Sequence, residues 1–273
     1  MKKQLYRLFQ WVVKGIPVTK ISAGITTTIP NQVLADKKIL ITGGGRGIGY
    51  YIAERFVQEG AQVVIVGRTQ GTLEKAANSL GCQWIQFDIN DTPHLPQLIQ
   101  QANEMLGGGL NGLVNNAGVC NIDNGFVNVS EQSYDEQFLT NVKSPFFLTQ
   151  AFVKYVEKNN ISPAGVIFIT SERGLYPDDA PYGMSKAALN NIVSGLARRF
   201  AAKDIRFNGI APGVTANIEM YPKKIDDLYL KGNVGKRFFL PQEIAEVATF
   251  LMSDASKCIS GEIIPCDQAN YYK

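Results

Sequence analysis

From Lys37 onward the chain alternates short apolar runs with longer amphipathic stretches. The apolar runs fall at residues 38–42 (KILIT), 62–66 (QVVIV), 83–87 (QWIQF), 111–115 (NGLVN), 165–170 (GVIFIT), 205–210 (IRFNGI) and 261–265 (GEIIP). Each is bounded by Gly, Asn, Asp or Pro, and most are separated by enough residues for a helix. Near-continuous apolar strands alternating with helices predict a parallel sheet that is buried on both faces. No repeat period and no low-complexity block interrupts the pattern, which predicts one domain over residues 37–273.

Residues 1–36 behave differently. Through residue 35 they hold no Asp or Glu, whereas Lys2, Lys3, Arg7, Lys14 and Lys20 make them basic. Leu5, Leu8, Phe9, Val12, Val13 and Ile16 recur at helical spacing, and the Thr-rich stretch from Ile25 to Pro30 reads as a linker. The apolar run is too short to span a bilayer and is cut by Lys14. Three readings stay open: a helical arm packed on the domain or on a second subunit, a helix (residues 1–20) lying on an anionic membrane with Phe9 and Trp11 at headgroup depth, or a transit peptide.

Composition narrows the function classes. With 45% hydrophobic and 19% charged residues the chain suits a soluble globular domain, and a net charge of +3 without basic blocks argues against a nucleic-acid partner. Cys82, Cys120, Cys258 and Cys266 are scattered, which speaks against a metal site and for a reducing compartment, the cytoplasm. The only histidine, His94, sits between Pro93 and Pro96, so proton chemistry is expected from other side chains.

Two motifs carry chemistry. Gly43-Gly44-Gly45-Arg46-Gly47-Ile48-Gly49 follows the first strand and opens a helix, a context in which glycines let the backbone approach a pyrophosphate at the helix N-terminus. The second strand ends at Gly67-Arg68-Thr69. An acid there would bind a ribose 2′-hydroxyl, whereas Arg68, with Arg46 from the loop, suits a 2′-phosphate, so the expected cofactor is NADP(H). Further on, Tyr182 and Lys186 stand four residues apart at the start of a helical run, on one face. A neighbouring ammonium favours phenolate and would lower the tyrosine pKa towards working pH.

TGGGRGIG at 42–49, NNAG at 115–118, Ser171 after an apolar strand, YGMSK at 182–186 and Pro212-Gly213 after another strand occur in the order of the short-chain dehydrogenase/reductase family. From about Lys37 to Asp267 the chain resembles that family's shorter, single-domain branch, including its 3-oxoacyl reductase-like members. The resemblance implies a doubly wound α/β Rossmann fold with a parallel sheet of about seven strands. It also implies a homo-oligomeric oxidoreductase that interconverts a small carbonyl compound and an alcohol. Tyr182 would be the catalytic acid/base, and Lys186 would bind the nicotinamide ribose and lower the tyrosine pKa. Ser171 would hydrogen-bond the substrate oxygen and Asn141 would hold a relay water. Gly43, Arg46, Gly47, Ile48, Gly49, Arg68, Asp88 (at the adenine), Asn116, Ala117, Gly118 and Thr215 (at the carboxamide) would bind cofactor with Tyr182 and Lys186. Residues 214–240 would form a lid, made partly apolar by Met220, Tyr221, Tyr229, Phe238 and Phe239.

The chain departs from the family pattern at three places. The stretch from Ser171 to Tyr182 is about two residues short and carries Glu172 and Arg173. Asn217 stands where a threonine is frequent. Cys266-Asp267-Gln268-Ala269-Asn270 replaces a usual glycine pair after the last strand. The competing readings are a sensor or scaffold that binds NADP(H) without turnover, and a sugar-nucleotide epimerase or dehydratase. The latter is disfavoured by the loop spacing and by the lack of a sizeable C-terminal substrate domain.

Overall fold

The computed structural model describes residues 32–121, 125–216 and 227–271. The expectations for residues 1–31, and those for Asn217, Met220 and Tyr221, lie outside these. In chain order the main elements are β1 (Lys38–Thr42), α1 (Gly47–Gln58), β2 (Gln62–Gly67), α2 (Gln70–Leu80), β3 (Gln83–Gln86), α3 (Leu95–Met105) and β4 (Gly112–Asn115). After these come α4 (Glu131–Phe138), α5 (Ser144–Lys158), β5 (Ala164–Ile169), α6 (Pro181–Phe200), β6 (Ile205–Pro212), α7 (Pro241–Met252) and β7 (Ile263–Cys266). A π-helical turn, Leu139–Lys143, joins α4 to α5.

The strands form one sheet in the order β3-β2-β1-β4-β5-β6-β7, with every pairing parallel. Alternate side chains of each strand point to opposite faces, and this sorts the core into two layers. Leu40, Val64, Val66, Val166 and Phe168 pack against α3, α5 and α6. Ile39, Ile41, Val63, Ile65 and Ile167 pack against α1, α2 and α7. Both faces are covered, which is why the strands read as unbroken apolar runs. Pro265 is accommodated because β7 is an edge strand. This is the α/β doubly wound Rossmann architecture that the sequence predicts.

Strand order reverses between β1 and β4. Chains leaving the two strands turn to opposite sides and open a crevice at their carboxyl ends, where ligands of such sheets bind. Among the described residues, no helix is long and apolar enough to cross a membrane.

Candidate active site

The crevice is a cleft of about 380 Å³. Gly43, Arg46, Gly47, Arg68, Asp88, Asn116, Ala117 and Gly118 all line it, together with Thr69, Thr72, Asn90, Val119 and Thr140, which the sequence reading missed. Gly43 and Gly47 have φ of +67° and +56°, a conformation that side chains disfavour, and a Cβ built on Gly47 meets no protein atom within 4 Å. The backbone of the loop therefore faces the cleft bare. No side chain caps the N-terminus of α1, so its first amides are directed at whatever anion occupies the cleft. Ile48, in the first turn of α1, packs its side chain on the apolar layer beneath and leaves only its backbone for the cleft. Gly49 is buried behind the loop, against Gly43 O and Asn116.

Thr42 and Asn116 lock the two strand ends together. The Thr42 hydroxyl accepts from the amides of Asn116 (3.0 Å) and Ala117 (3.1 Å), and Asn116 Nδ2 donates to the carbonyls of Thr42 (2.9 Å) and Gly43 (3.1 Å). At the other end of the cleft, Arg46, Arg68, Thr69 and Thr72 surround the start of α2. This helix has neither a side-chain cap nor an acid in its first turn. Of the described residues lining the cleft, Asp88 is the one carboxylate, and its Oδ1 also caps the turn at Asn90 N (3.0 Å). These residues fit a dinucleotide: bare backbone for the pyrophosphate, with the cations Arg46 and Arg68 in the same cleft.

Beyond Gly118 the cleft leads to the residues predicted to be catalytic. Lys186, buried in the first turns of α6, donates from Nζ to Ile169 O (2.9 Å), and its ammonium lies 5.6 Å from the Tyr182 ring centroid. Ser171 caps the short turn Glu172–Gly174, accepting from Arg173 N (3.2 Å), and its side chain hydrogen-bonds that of Tyr182. Asn141, fully buried in the π turn, accepts from Val119 N (2.9 Å) and donates to Val119 O (2.9 Å) and Ser185 Oγ (3.0 Å). Both ends of its amide are thus held by protein, and it fixes the loop after β4 against α6. The missing side chain of Gly118 is what lets Asn141 and Lys186 approach, since a Cβ there would lie 3.1 Å from Asn141 Oδ1 and 3.4 Å from Lys186 Nζ. Thr215 stays apart from the cleft lining, in a bridge to Phe239 with its hydroxyl on Gly213 O (2.9 Å).

Burial works against one expectation. The i, i+4 spacing predicts a lowered tyrosine pKa, whereas Tyr182 is pushed up to about 12, chiefly by desolvation and then by Cys120. Opposing this are the Ser171 hydrogen bond and the Arg173 guanidinium, which stands 5.6 Å from the ring centroid. Lys186 is driven down to about 8 by the same burial. Cys120 is therefore a neighbour of the site that the linear motifs did not reveal, whereas Arg173, two residues after Ser171, stands beside the site where the sequence places its charge. Arg173 is oriented by Asp178 through two bonds, Nε to Oδ2 (2.6 Å) and Nη2 to Oδ1 (2.9 Å).

A cleft at a sheet's switch point, lined by a bare glycine loop and backed at Gly118 by a Ser–Tyr–Lys cluster, points to a nicotinamide-dependent oxidoreductase. The chain belongs to the short-chain dehydrogenase/reductase family. Residues 43–268 match a family model described as enoyl-(acyl carrier protein) reductase. A 3α-hydroxysteroid dehydrogenase of Mediterraneibacter gnavus is 31% identical over 254 residues, covering 87% of this chain and 98% of the relative. A 3-oxoacyl-[acyl-carrier-protein] reductase of Thermotoga maritima is 31% identical over 243 residues, covering 86% and 97%. Among solved structures, one described as a short-chain alcohol dehydrogenase from Sinorhizobium meliloti superimposes with a TM-score of 0.77 at 30% identity, covering 88% of this chain and 98% of that one.

Proposed function

We propose that the protein is an NADP(H)-dependent reductase or dehydrogenase that interconverts a ketone or aldehyde with an alcohol, Tyr182 donating or accepting the proton. The observation that carries this reading is the cluster of Ser171, Tyr182 and Lys186, with Lys186 behind Gly118 in the wall of a cleft that Arg46 and Arg68 also line.

In this reading the Gly43–Gly47 backbone and the start of α1 hold the pyrophosphate, while Arg46, Arg68 and Thr69 hold the 2′-phosphate. Asp88 meets the adenine, Asn116, Ala117 and Gly118 form the wall, and Thr215 meets the carboxamide. When bound, the nicotinamide supplies hydride to the carbonyl carbon. Ser171 donates a hydrogen bond to the substrate oxygen and Tyr182 gives its phenolic proton to that oxygen. Lys186 binds the ribose and, with Arg173, stabilises the phenolate left behind. The residues act mainly by positioning donor and acceptor across one carbon. We assign the working form to the cytoplasm as a homo-oligomer. Supporting this, none of the four cysteines is in a disulfide, and Phe146, Phe147, Met184 and Phe250 are exposed on α5, α6 and α7.

The test is oxidation of NADPH and of NADH against a panel of ketones, aldehydes and 3-oxoacyl thioesters. Turnover is expected with NADPH. Tyr182→Phe is expected to lower kcat by about a hundredfold or more while leaving NADPH affinity unchanged. Preference for NADH overturns the cofactor assignment, and an active Tyr182→Phe enzyme overturns the mechanism. Tight NADPH binding without turnover of any panel member moves the reading to a sensor.

A further inference from the structure

Two of the places where this chain departs from its family meet in space at one buried side chain, Asn270. Glu172, the residue after Ser171, is buried, and its Oε2 accepts from Asn270 Nδ2 at 2.7 Å although the two are 98 residues apart. The other end of the same amide, Oδ1, accepts from Val234 N at 3.1 Å. Val234 belongs to a flap formed by residues 228–239. Phe238 N bonds Leu228 O (2.8 Å), Leu230 N bonds Lys236 O (2.8 Å), and Tyr229 bridges Arg237. Buried Leu228, Phe238 and Phe239 seat the flap, and Phe239 N on Val214 O (3.0 Å) ties its base to the Thr215 strand. Glu172 opens a turn that is itself fixed to α6 by Asn190 Nδ2 on Gly174 O (2.9 Å). One amide therefore spans the catalytic turn and the flap.

The C-terminal turn is shaped to present that amide. Asp267, 1% exposed, accepts from Ala269 N (3.1 Å) and Tyr271 N (2.8 Å), and Gln268 packs against Gly235 in the flap. Gln268 and Ala269 take φ of +50° and +64°, a region rarely adopted by residues with side chains and retained where surrounding structure demands it. Removing the Asn270 donor would leave a buried carboxylate beside Ser171 without that donor, a more costly state than an exposed one.

We propose that Asn270 is a positioning residue: it clamps the flap onto the Ser171 turn and so fixes the wall against which the substrate docks. The role of that wall rests on the functional reading above, whereas the clamp itself does not.

The experiment uses the full chain and exchanges donor for acceptor. Asn270→Asp sets a second carboxylate against Glu172 and keeps the acceptor for Val234 N. Glu172→Gln combined with Asn270→Asp restores one hydrogen bond with its polarity reversed. Hydrogen–deuterium exchange over residues 171–175 and 228–239 is expected to rise by about tenfold or more in Asn270→Asp. It should return to within about twofold of the starting protein in the double variant. With the best panel carbonyl compound, KM should rise by about tenfold in Asn270→Asp while NADPH affinity stays the same, and the double variant should recover it. Glu172→Gln alone keeps the Asn270 donor and should exchange like the starting protein, so it controls for misfolding. Unaltered exchange in Asn270→Asp, or no recovery in the double variant, overturns the clamp. Raised exchange with unaltered KM overturns the role in the substrate wall. A responsive clamp in a protein that turns over no panel member overturns the functional reading instead.

Discussion

At the scale of single residues, burial acts on Tyr182 and Lys186 in opposite senses, because each is pushed towards its uncharged form. Proton transfer through Tyr182 needs the charged form to be reachable, so the groups facing the phenol decide how far the opposition goes. Cys120 and Glu172 work against phenolate, while the Ser171 hydrogen bond and Arg173 work for it. Arg173 is held by Asp178, which aims the guanidinium but also partly cancels its charge. Removing the cation by Arg173→Gln destabilises phenolate and raises the Tyr182 pKa. In alcohol oxidation, where phenolate is the proton acceptor, the rising limb of kcat/KM against pH should move upward by about one pH unit. Arg173→Lys should recover part of that displacement. A limb that stays in place or moves to lower pH refutes the electrostatic role of Arg173.

At the scale of elements, the turn Glu172–Gly174 and helix α6 must lie in contact for Ser171 to meet Tyr182. A Cβ on Gly174 would stand 2.7 Å from Lys186 C and 2.8 Å from Ala187 N, both backbone atoms that cannot swing aside. Gly174→Ala should lift the turn from the helix, cost about 1–3 kcal/mol of stability and lower kcat without altering cofactor affinity. Gly195, in the same helix, has nothing within 4 Å of a built Cβ, so Gly195→Ala should stabilise by up to about 1 kcal/mol. Melting curves of the two variants check both signs, and a stabilised Gly174→Ala protein would contradict the packing argument. The elements themselves were legible in the sequence. KILIT is β1 residue for residue, and QVVIV falls one residue short of β2. IRFNGI continues through Ala211 and Pro212. Periodicity and punctuation are local properties, so they locate strands, the glycine loop and the Tyr182–Lys186 pair. Desolvation of Tyr182, the approach of Cys120 and the Glu172–Asn270 contact depend on which distant segments the fold brings together. No spacing along the chain encodes them.

At the scale of the whole molecule, two apolar layers on a seven-stranded sheet supply stability that the site partly spends. Lys186 is the clearest instance: a buried ammonium whose pKa falls from 10.5 to about 8. Below pH 8 the lysine is protonated in both folded and unfolded chains, and the folded state bears the full cost of the buried charge. Between about pH 8 and 10.5 the folded protein releases the proton while the unfolded chain keeps it, so this cost declines as pH rises and is gone above 10.5. Lys186→Met replaces the charge by an apolar chain of similar length and forfeits the bond to Ile169 O and the ammonium's place over the Tyr182 ring. The variant should therefore be the more stable protein at neutral pH, by about 2 kcal/mol or several degrees in Tm, with its advantage shrinking from pH 8 to 10.5. Its turnover should be largely lost, because the ribose contact and the cation beside the phenol are gone. Denaturant melts of both proteins at intervals across that range measure the difference. A variant less stable than the starting protein at pH 7, or an advantage that grows with pH, would mean that the Lys186 ammonium is stabilised in the folded protein by more than its burial costs.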